Sequence, residues 1–192
     1  EKKSPNNWVD GVGEAAFYGA KVDFMAKDSI GRTWQVATIQ LDFVQPTNFG
    51  LEFVNEEGLR EQPVMIHCAI MGSIERFLAT YIEHCAGNFP VWLSPTQVSV
   101  IPIGESHQEY AKVLVDAARA RGMRVSFEDG KDGLGKKVRA AKEMKTPYWV
   151  VIGDKDMEAN MVTLESRDHG NLGQMSIDEV LAKLEKEIKE KK

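Results

Sequence analysis

The chain has 192 residues, which is long enough to bury a core in one large domain or two small ones. Hydrophobic residues make up 43% of it and charged residues 28%, a balance typical of globular proteins that argues against disorder. No stretch of about 18 apolar residues occurs, so we expect no segment that crosses a membrane. The two cysteines are too few for a disulfide scaffold and fit a reducing cytoplasm.

The first half of the chain predicts two strands followed by a helix. Residues 33–43 alternate in polarity, as in a strand with one apolar and one polar face. The apolar face carries Ala37, Ile39, Leu41 and Phe43, and the other carries Val36, Thr38, Gln40 and Asp42. Residues 64–66 form a short buried strand, and a helix begins at residues 72–73 and ends at Gly87. The apolar positions of this helix, on the side away from Arg76, are Ile74, Phe77, Leu78, Tyr81, Ile82 and Cys85.

A segment with two prolines, residues 87–97, interrupts these patterns, and we place a domain boundary between residues 94 and 95. Strands and helices then alternate, which predicts a largely parallel sheet covered by helices. The predicted strands are 98–103, 123–127, 148–152 and 161–165, and the predicted helices are 106–121, 134–144 and a final one from residue 176. Two of these helices begin with a capping box, Ser106–Glu109 and Ser176–Glu179.

Charge is unevenly distributed along the chain. The net charge is -5, yet residues 119–145 contain nine Lys or Arg against four Asp or Glu. Such a basic segment indicates either a phosphate-contacting surface or the ordinary solvated faces of helices, and the pattern leaves both interpretations open.

His67 stands at the end of the 64–66 strand, where a histidine can be structural or can bind a metal ion. The pairs His67–Cys68 and His84–Cys85 do not form a self-contained zinc site, because adjacent side chains on a strand or helix diverge. The glycines at positions 130, 133 and 135 match neither the P-loop nor the dinucleotide-binding spacing.

Four ordered blocks of the sequence resemble the threonyl-tRNA synthetase family. They are AFYGAKVDF (16–24), WQVATIQLDF (34–43), PVMIHCAIMGSIERF (63–77) and FPVWLSPTQV (89–98). The resemblance implies an α/β (α+β) chain with two parts. Residues 1–94 would be the C-terminal part of a class II catalytic domain built on an antiparallel sheet. Residues 95–192 would be a three-layer α/β anticodon-binding domain with a mixed or parallel sheet.

The resemblance also implies roles for particular residues. Residues 72–76 match the third class II motif, so that Arg76 contacts ATP, and Lys21 joins Arg76 as a catalytic position. His67 matches a zinc ligand whose companion ligands lie upstream of this chain. The implied threonine and ATP positions are Tyr18, Gln35, Thr38, Gln40, Ser73 and Arg76. The implied tRNA contacts are Lys131, Lys136, Lys137, Arg139 and Lys145.

Some positions depart from the family pattern or from simple alternation. Cys68 replaces an arginine that usually follows the zinc histidine. Lys131 and Glu165 stand where some relatives place base-reading residues, and a glutamate cannot mimic a guanidinium. Strict alternation puts Gln35 on the face opposite Thr38 and Gln40, so Gln35 needs a β-bulge to join them.

The implied function is that of a threonine–tRNA ligase, which uses ATP with Mg²⁺ and is a cytoplasmic homodimer bound to no membrane. The N-terminal residues form no secretory signal and include no initiating methionine, so we expect the chain to begin inside a longer protein and to be inactive alone. Two alternatives remain: a non-catalytic RNA-binding paralogue, and another class II synthetase such as the prolyl type.

Overall fold

A computed structural model describes residues 8–192, and the chain divides into two compact units, Glu1–His84 and Cys85–Lys192. The first elements in chain order are β1 (Lys21–Lys27), β2 (Thr33–Asp42), α1 (Gln45–Asn48), β3 (Phe53–Val54), β4 (Arg60–Glu61), β5 (Met65–Ala69) and α2 (Ile74–Cys85). Those that follow are β6 (Val98–Pro102), a 3-10 turn (Glu105–His107), α3 (Gln108–Ala120), β7 (Val125–Phe127), α4 (Leu134–Glu143), β8 (Tyr148–Ile152), α5 (Asp154–Ala159), β9 (Val162–Ser166), β10 (Gly170–Met175) and α6 (Ile177–Lys189).

The first unit contains an antiparallel sheet in the order β1-β2-β5 and a separate small hairpin, β3–β4. The pairing of β1 with β2 is interrupted by a β-bulge. Phe24 lies opposite Ala37, but the next residue, Met25, lies opposite Gln35, so that Val36 is the extra residue. A bulge reverses the alternation beyond it. Gln35 therefore joins the sheet face that carries Thr38.

The turn between β1 and β2 is organised around the carboxylate of Asp28. This carboxylate accepts hydrogen bonds from the backbone N–H groups of Ile30 and Arg32 and from the indole N–H of Trp34, at 3.2, 2.8 and 2.9 Å. The guanidinium of Arg32 also contacts it. Burial alone would raise the pKa of Asp28, but the hydrogen bonds from Trp34 and Arg32 outweigh burial and lower that pKa to about 2. The turn therefore depends on an ionised aspartate.

Apolar side chains of the first unit remain accessible to solvent. Among its described residues, 8–84, the buried ones are Asp28, Asp42 and Pro46. Helix α2 forms where the sequence predicts it, and Phe77 stacks on Tyr81 at 5.8 Å between ring centroids. Its remaining apolar stripe is exposed, however: Ile74, Leu78 and Ile82 retain 55%, 46% and 49% of their accessible surface.

The second unit contains a mixed five-stranded sheet in the order β10-β9-β8-β6-β7, within the described residues 85–192. β6 pairs in parallel with β7 and β8, whereas β8–β9 and β9–β10 are antiparallel. The prediction of a largely parallel sheet is therefore correct for half of the strand pairs. A parallel crossover needs about a dozen residues or more, and the connections 153–161 and 167–169 are too short for one.

A continuous core fills one side of this sheet. Side chains from alternate strand positions, such as Val100, Val150 and Leu164, pack against α3 and α6. A smaller cluster of Ile101, Trp149 and Ala141 joins the opposite sheet face to α4. Helices on both faces make three layers. The described residues, 8–192, include no helix long and apolar enough to cross a membrane.

The two predicted capping boxes have different outcomes. Ser176 and Glu179 exchange hydrogen bonds at the start of α6, as predicted. The prediction of a capping box at Ser106 is wrong, because a 3-10 turn precedes α3. There the Nδ1 atom of the buried His107 accepts the N–H of Gly104 at 3.0 Å. An imidazole thus satisfies a backbone N–H at Gly104, two residues before the predicted cap.

Candidate functional site

The polar face of the β1-β2-β5 sheet carries most of the residues proposed from sequence. Lys21 lies opposite Gln40, and Gln40 lies opposite His67 on the next strand. Paired residues in a sheet project from the same face. The three side chains therefore form a row across the three strands, beside a second row that contains Asp23 and Thr38.

Asp23 connects three of the proposed site residues. Its carboxylate accepts hydrogen bonds from the Gln35 amide at 2.7 Å and the Thr38 hydroxyl at 2.6 Å. It also forms an ion pair with the Lys21 ammonium at 2.8 Å. Hydrogen bonds from Lys21 and Thr38 lower the pKa of Asp23, and the hydrogen bond to Asp23 raises the pKa of Lys21. Both groups are therefore charged near neutral pH.

A cavity of about 390 Å³ opens beside this cluster. Its lining residues are Phe17, Tyr18, Gln40, Asp42, Gln45, Phe49, Met65 and His67. The Tyr18 hydroxyl lies 3.4 Å from Oε1 of Gln40, and the Tyr18 ring is roughly perpendicular to the His67 ring at 6.4 Å. The structure thus brings Tyr18, Gln40 and His67 together around a space that a small molecule could enter.

Asp42 lies behind His67 in this cavity. Its Oδ2 atom is 2.8 Å from Nε2 of His67, and its Oδ1 atom accepts the backbone N–H groups of Val44 and Gln45 at 2.9 Å each. The Asp42 side chain is 2% exposed, whereas that of His67 is 46% exposed. Burial opposes ionisation, but the hydrogen bonds from Gln45, His67 and Val44 lower the pKa of Asp42.

Arg76 and Ser73 lie apart from the cavity lining. The exposed Arg76 guanidinium sits 6.0 Å from the ring centroid of Trp34, a distance typical of a cation–π contact. The Ser73 hydroxyl donates to Glu75 at 2.9 Å. Neither residue is among those that line the cavity at His67.

No group of three or more His, Cys, Asp or Glu side chains that could hold a metal ion occurs within residues 8–192. Cys68 is exposed and follows His67 on the strand, so its side chain projects from the opposite sheet face. His67 fits as a single ligand, since a carboxylate behind the ring is the usual arrangement for a metal-binding histidine.

The basic residues proposed for tRNA contacts fall into different environments. Lys131, Lys136 and Arg139 are exposed, and Lys145 is partly buried. Lys136 and Arg139 form surface ion pairs with Asp132 and Glu143, which cost little to open.

Lys137 lies in a different environment from the other four residues. It is 6% exposed, and its ammonium donates to the carbonyl oxygen of Pro102 at 3.1 Å. Its charge is thus directed into the unit, away from solvent. Arg124 is also used internally, since its guanidinium donates to the carbonyl oxygens of Ser94 and Trp92 at 2.8 Å. Net charge along the sequence therefore overstates the exposed positive charge.

Sequence reasoning missed Asp23 and Asp42 as organisers of the site. The available signal was position: Asp42 lies on the predicted polar face of β2, and Asp23 follows Lys21 at the spacing of one strand face. The hydrogen bonds themselves depend on strand register and on the bulge, which the polarity pattern does not specify.

Comparison with known proteins assigns each of the two units to a domain family. Residues 3–85 match the tRNA synthetase class II core domain (G, H, P, S and T), and residues 97–187 match the anticodon binding domain. These are the two domains of a class II aminoacyl-tRNA synthetase.

The relatives identify the branch of that class. The threonine–tRNA ligase of Clostridium tetani (strain Massachusetts / E88) is 48% identical over 176 residues, covering 92% of this chain and 28% of the ligase. That of Prosthecochloris aestuarii (strain DSM 271 / SK 413) is 43% identical over 185 residues, covering 96% and 28%. The solved RNA binding domain of threonyl-tRNA synthetase from Cryptosporidium parvum Iowa II has a TM-score of 0.83 and 37% identity, covering 91% of this chain and 44% of that one.

The chain belongs to the threonine–tRNA ligase family, which confirms the family resemblance noted from its sequence blocks. It spans about 28% of the length of the curated relatives named above.

Proposed function

We propose that this chain is part of a threonine–tRNA ligase that forms threonyl-adenylate from threonine and ATP and transfers threonine to tRNA(Thr). One observation carries the proposal: identity of 43–48% to ligases of this name extends over 92–96% of the chain and so runs through both domains. We keep the domain boundary at residues 94/95 as part of this proposal.

The sheet face of the first unit would bind threonine. Tyr18 and Gln40 line the cavity beside His67, and Asp23 holds Gln35, Thr38 and Lys21 in fixed orientations. Arg76, with Ser73 in the same motif, would contact ATP, and the guanidinium would offset triphosphate charge together with Mg²⁺. The threonine carboxylate attacks the α-phosphorus, and diphosphate leaves. Positioning and electrostatic stabilisation do most of the work in such a displacement.

His67 would be one ligand of a zinc ion, with the other ligands supplied by residues outside this chain. When bound with open coordination positions, zinc can take both the amine and the hydroxyl of threonine, which valine cannot provide. An apolar pocket alone separates such isosteres by only about a hundredfold. His67 would present one ring nitrogen to the ion while Asp42 holds the other.

The second unit would bind the anticodon region of tRNA(Thr) through exposed cations. The proposed contacts are Lys131, Lys136, Arg139 and Lys145, without the buried Lys137. Some relatives place a base-reading residue at position 165. The carboxylate of Glu165 would not provide the contact that a guanidinium makes with a tRNA base there. A homodimeric state and a cytoplasmic location follow from the family and complete the proposal.

A chimaeric ligase tests this assignment. The corresponding segment of the Clostridium tetani enzyme would be replaced by this chain, and amino-acid-dependent exchange between pyrophosphate and ATP would be measured with threonine, valine, serine and proline. We expect exchange with threonine. Exchange with proline would assign the chain to the prolyl type. A folded chimaera that retains tRNA binding but supports no exchange would favour the non-catalytic paralogue. The matches to threonine–tRNA ligases favour neither alternative.

A further inference from the structure

We infer that Asp42 fixes His67 in the tautomer that carries its proton on Nε2, and so keeps the Nδ1 lone pair free for a divalent metal ion. Asp42 is then a positioning residue, acting through the imidazole rather than on the substrate. The inference rests on the proposed role of His67 as a zinc ligand, and it adds a residue and a mechanism to that proposal.

The hydrogen-bonding chemistry of Asp42 determines which atom is the donor in its contact with His67. An ionised carboxylate only accepts hydrogen bonds, and Oδ1 is already held by the N–H groups of Val44 and Gln45. At 2.8 Å from Oδ2, the Nε2 atom of His67 must therefore be the donor. A neutral imidazole carries one proton, so the lone pair is left on Nδ1.

The carboxylate is held rigidly enough to impose this tautomer. Both oxygens of Asp42 are engaged, and the side chain is 2% exposed, so water cannot readily take the place of the imidazole. His67 is 46% exposed and lines the cavity, and no hydrogen-bond partner of its Nδ1 occurs among the described residues. The ring thus has an anchored edge and an accessible edge, as histidine ligands with a carboxylate behind them do.

A second histidine of the chain provides an internal contrast. His107 also has a carboxylate at Nε2, with Asp154 at 3.0 Å, but its Nδ1 accepts the N–H of Gly104 at 3.0 Å. Both nitrogens of His107 are occupied, and the residue is buried. Its tautomer is therefore set by the backbone as well as by the aspartate, and it has no free lone pair.

The test is the position of the imidazole protons, read from the ¹⁵N shifts and two-bond ¹H–¹⁵N couplings of the chain labelled at histidine, at a pH where the rings are neutral. The chain has four histidines, so each signal can be assigned by single replacement. We expect the Nε2–H tautomer for His67.

The variant Asp42→Asn should reverse this tautomer. Its asparagine oxygen can still accept hydrogen bonds from the N–H groups of Val44 and Gln45, while its amide donates to Nε2 of His67, which moves the ring proton to Nδ1. The same replacement reverses the tautomer of the histidine in serine hydrolase triads.

Asp154→Asn is the matched control. Because the Gly104 N–H occupies Nδ1 of His107, that replacement should leave the His107 tautomer unchanged. Backbone amide shifts of residues 44 and 45 report whether the Asp42→Asn variant keeps its local fold. A wild-type His67 with its proton on Nδ1 would overturn the inference without any variant, and so would an unchanged tautomer in folded Asp42→Asn.

Zinc affinity of the chimaeric ligase, measured by competition with a chelator, separates this inference from the proposed function. We expect Asp42→Asn to weaken zinc binding by about 10–100-fold. A reversed tautomer together with unchanged zinc affinity would contradict the assignment of Nδ1 as a ligand. A chimaera that activates threonine but binds no zinc at all would refute the metal role of His67 while leaving ligase membership intact.

Discussion

The two units of this chain are stabilised by different kinds of buried group. In the second, apolar side chains from five strands and two helices form a closed core that includes Leu114, Leu164 and Leu184. In the first, the buried charged residues are Asp28 and Asp42, and each is surrounded by backbone and side-chain donors. The second unit thus has a core of its own, whereas hydrogen bonds fix the local geometry of the first.

This difference indicates where stability and where chemistry reside. Apolar burial is non-directional and stabilises a whole unit, while a hydrogen-bonded carboxylate sets the position of particular atoms. In the first unit, hydrogen bonds fix the positions of the site residues. They lie on a sheet whose apolar positions remain accessible, since Ile39 and Ile66 are 41% and 63% exposed. We expect substitutions in the second unit to change stability, and those in the first to change site geometry.

The largest effect should come from truncating the core of the second unit. Leu164→Ala removes a fully buried side chain and should lower the free energy of unfolding by about 2–5 kcal/mol. Leu78→Ala makes the same chemical change at a position that is 46% exposed, and should cost well under half as much. Urea unfolding followed by tryptophan fluorescence and circular dichroism measures both. Equal losses would remove the contrast between the units.

Asp23→Asn should disturb the site more than the fold. The replacement removes the acceptor charge that holds Lys21 and weakens the contacts to Gln35 and Thr38. Hydrogen bonds to a charged partner contribute about 1.5–3 kcal/mol, so we expect the KM for threonine of the chimaeric ligase to rise by roughly tenfold or more. Unfolding free energy should change little. A variant that loses stability but keeps its KM would assign Asp23 a structural role.

The Asp28 turn gives the first unit a pH dependence with a defined sign. Its folded pKa of about 2 lies below 3.8, the ordinary value for an aspartate. The ionised form is therefore favoured by folding, and the stabilisation is complete above pH 3.8 and is lost as the pH falls toward 2. The amide shifts of residues 30 and 32 should titrate with a midpoint near pH 2, and Asp28→Asn should abolish that titration. A midpoint near 3.8 would mean that the turn does not depend on the charge.

The smallest effect concerns the cations of the second unit. Lys136→Ala should reduce the salt dependence of tRNA binding by about 0.7 in the slope of log affinity against log salt, as for one contact to single-stranded RNA. Lys137→Met should leave that slope unchanged and instead lower stability, because its ammonium is bound to the carbonyl of Pro102. Equal changes in slope for the two variants would show that burial does not distinguish these lysines.

Much of the second unit could be predicted from sequence, because its strands and helices carry strong apolar periodicity. The predicted strand 148–152 and the final helix agree with β8 and α6. Helix α5 and strand β10 were missed, since six residues with few apolar positions and a glycine-containing strand give weak patterns. The antiparallel direction of β9 depends on the length of its connection, which polarity does not reveal.

The candidate site was less accessible to such reasoning. Its residues were named by family resemblance, while the polarity pattern located only the polar face of β2. The bulge at Val36, which brings Gln35 beside Thr38, depends on the pairing of β1 with β2. The contact of Asp42 with His67 likewise requires β5 to pair with β2 in one register. Neither register is encoded in the local pattern of either strand.

The most direct test of the account is the response of the chimaeric ligase to His67→Ala, with zinc content and pyrophosphate exchange measured on the same samples. We expect bound zinc to fall to background and the preference for threonine over valine to disappear. Unchanged zinc content together with unchanged rejection of valine would contradict the role of His67, on which the proposed site depends.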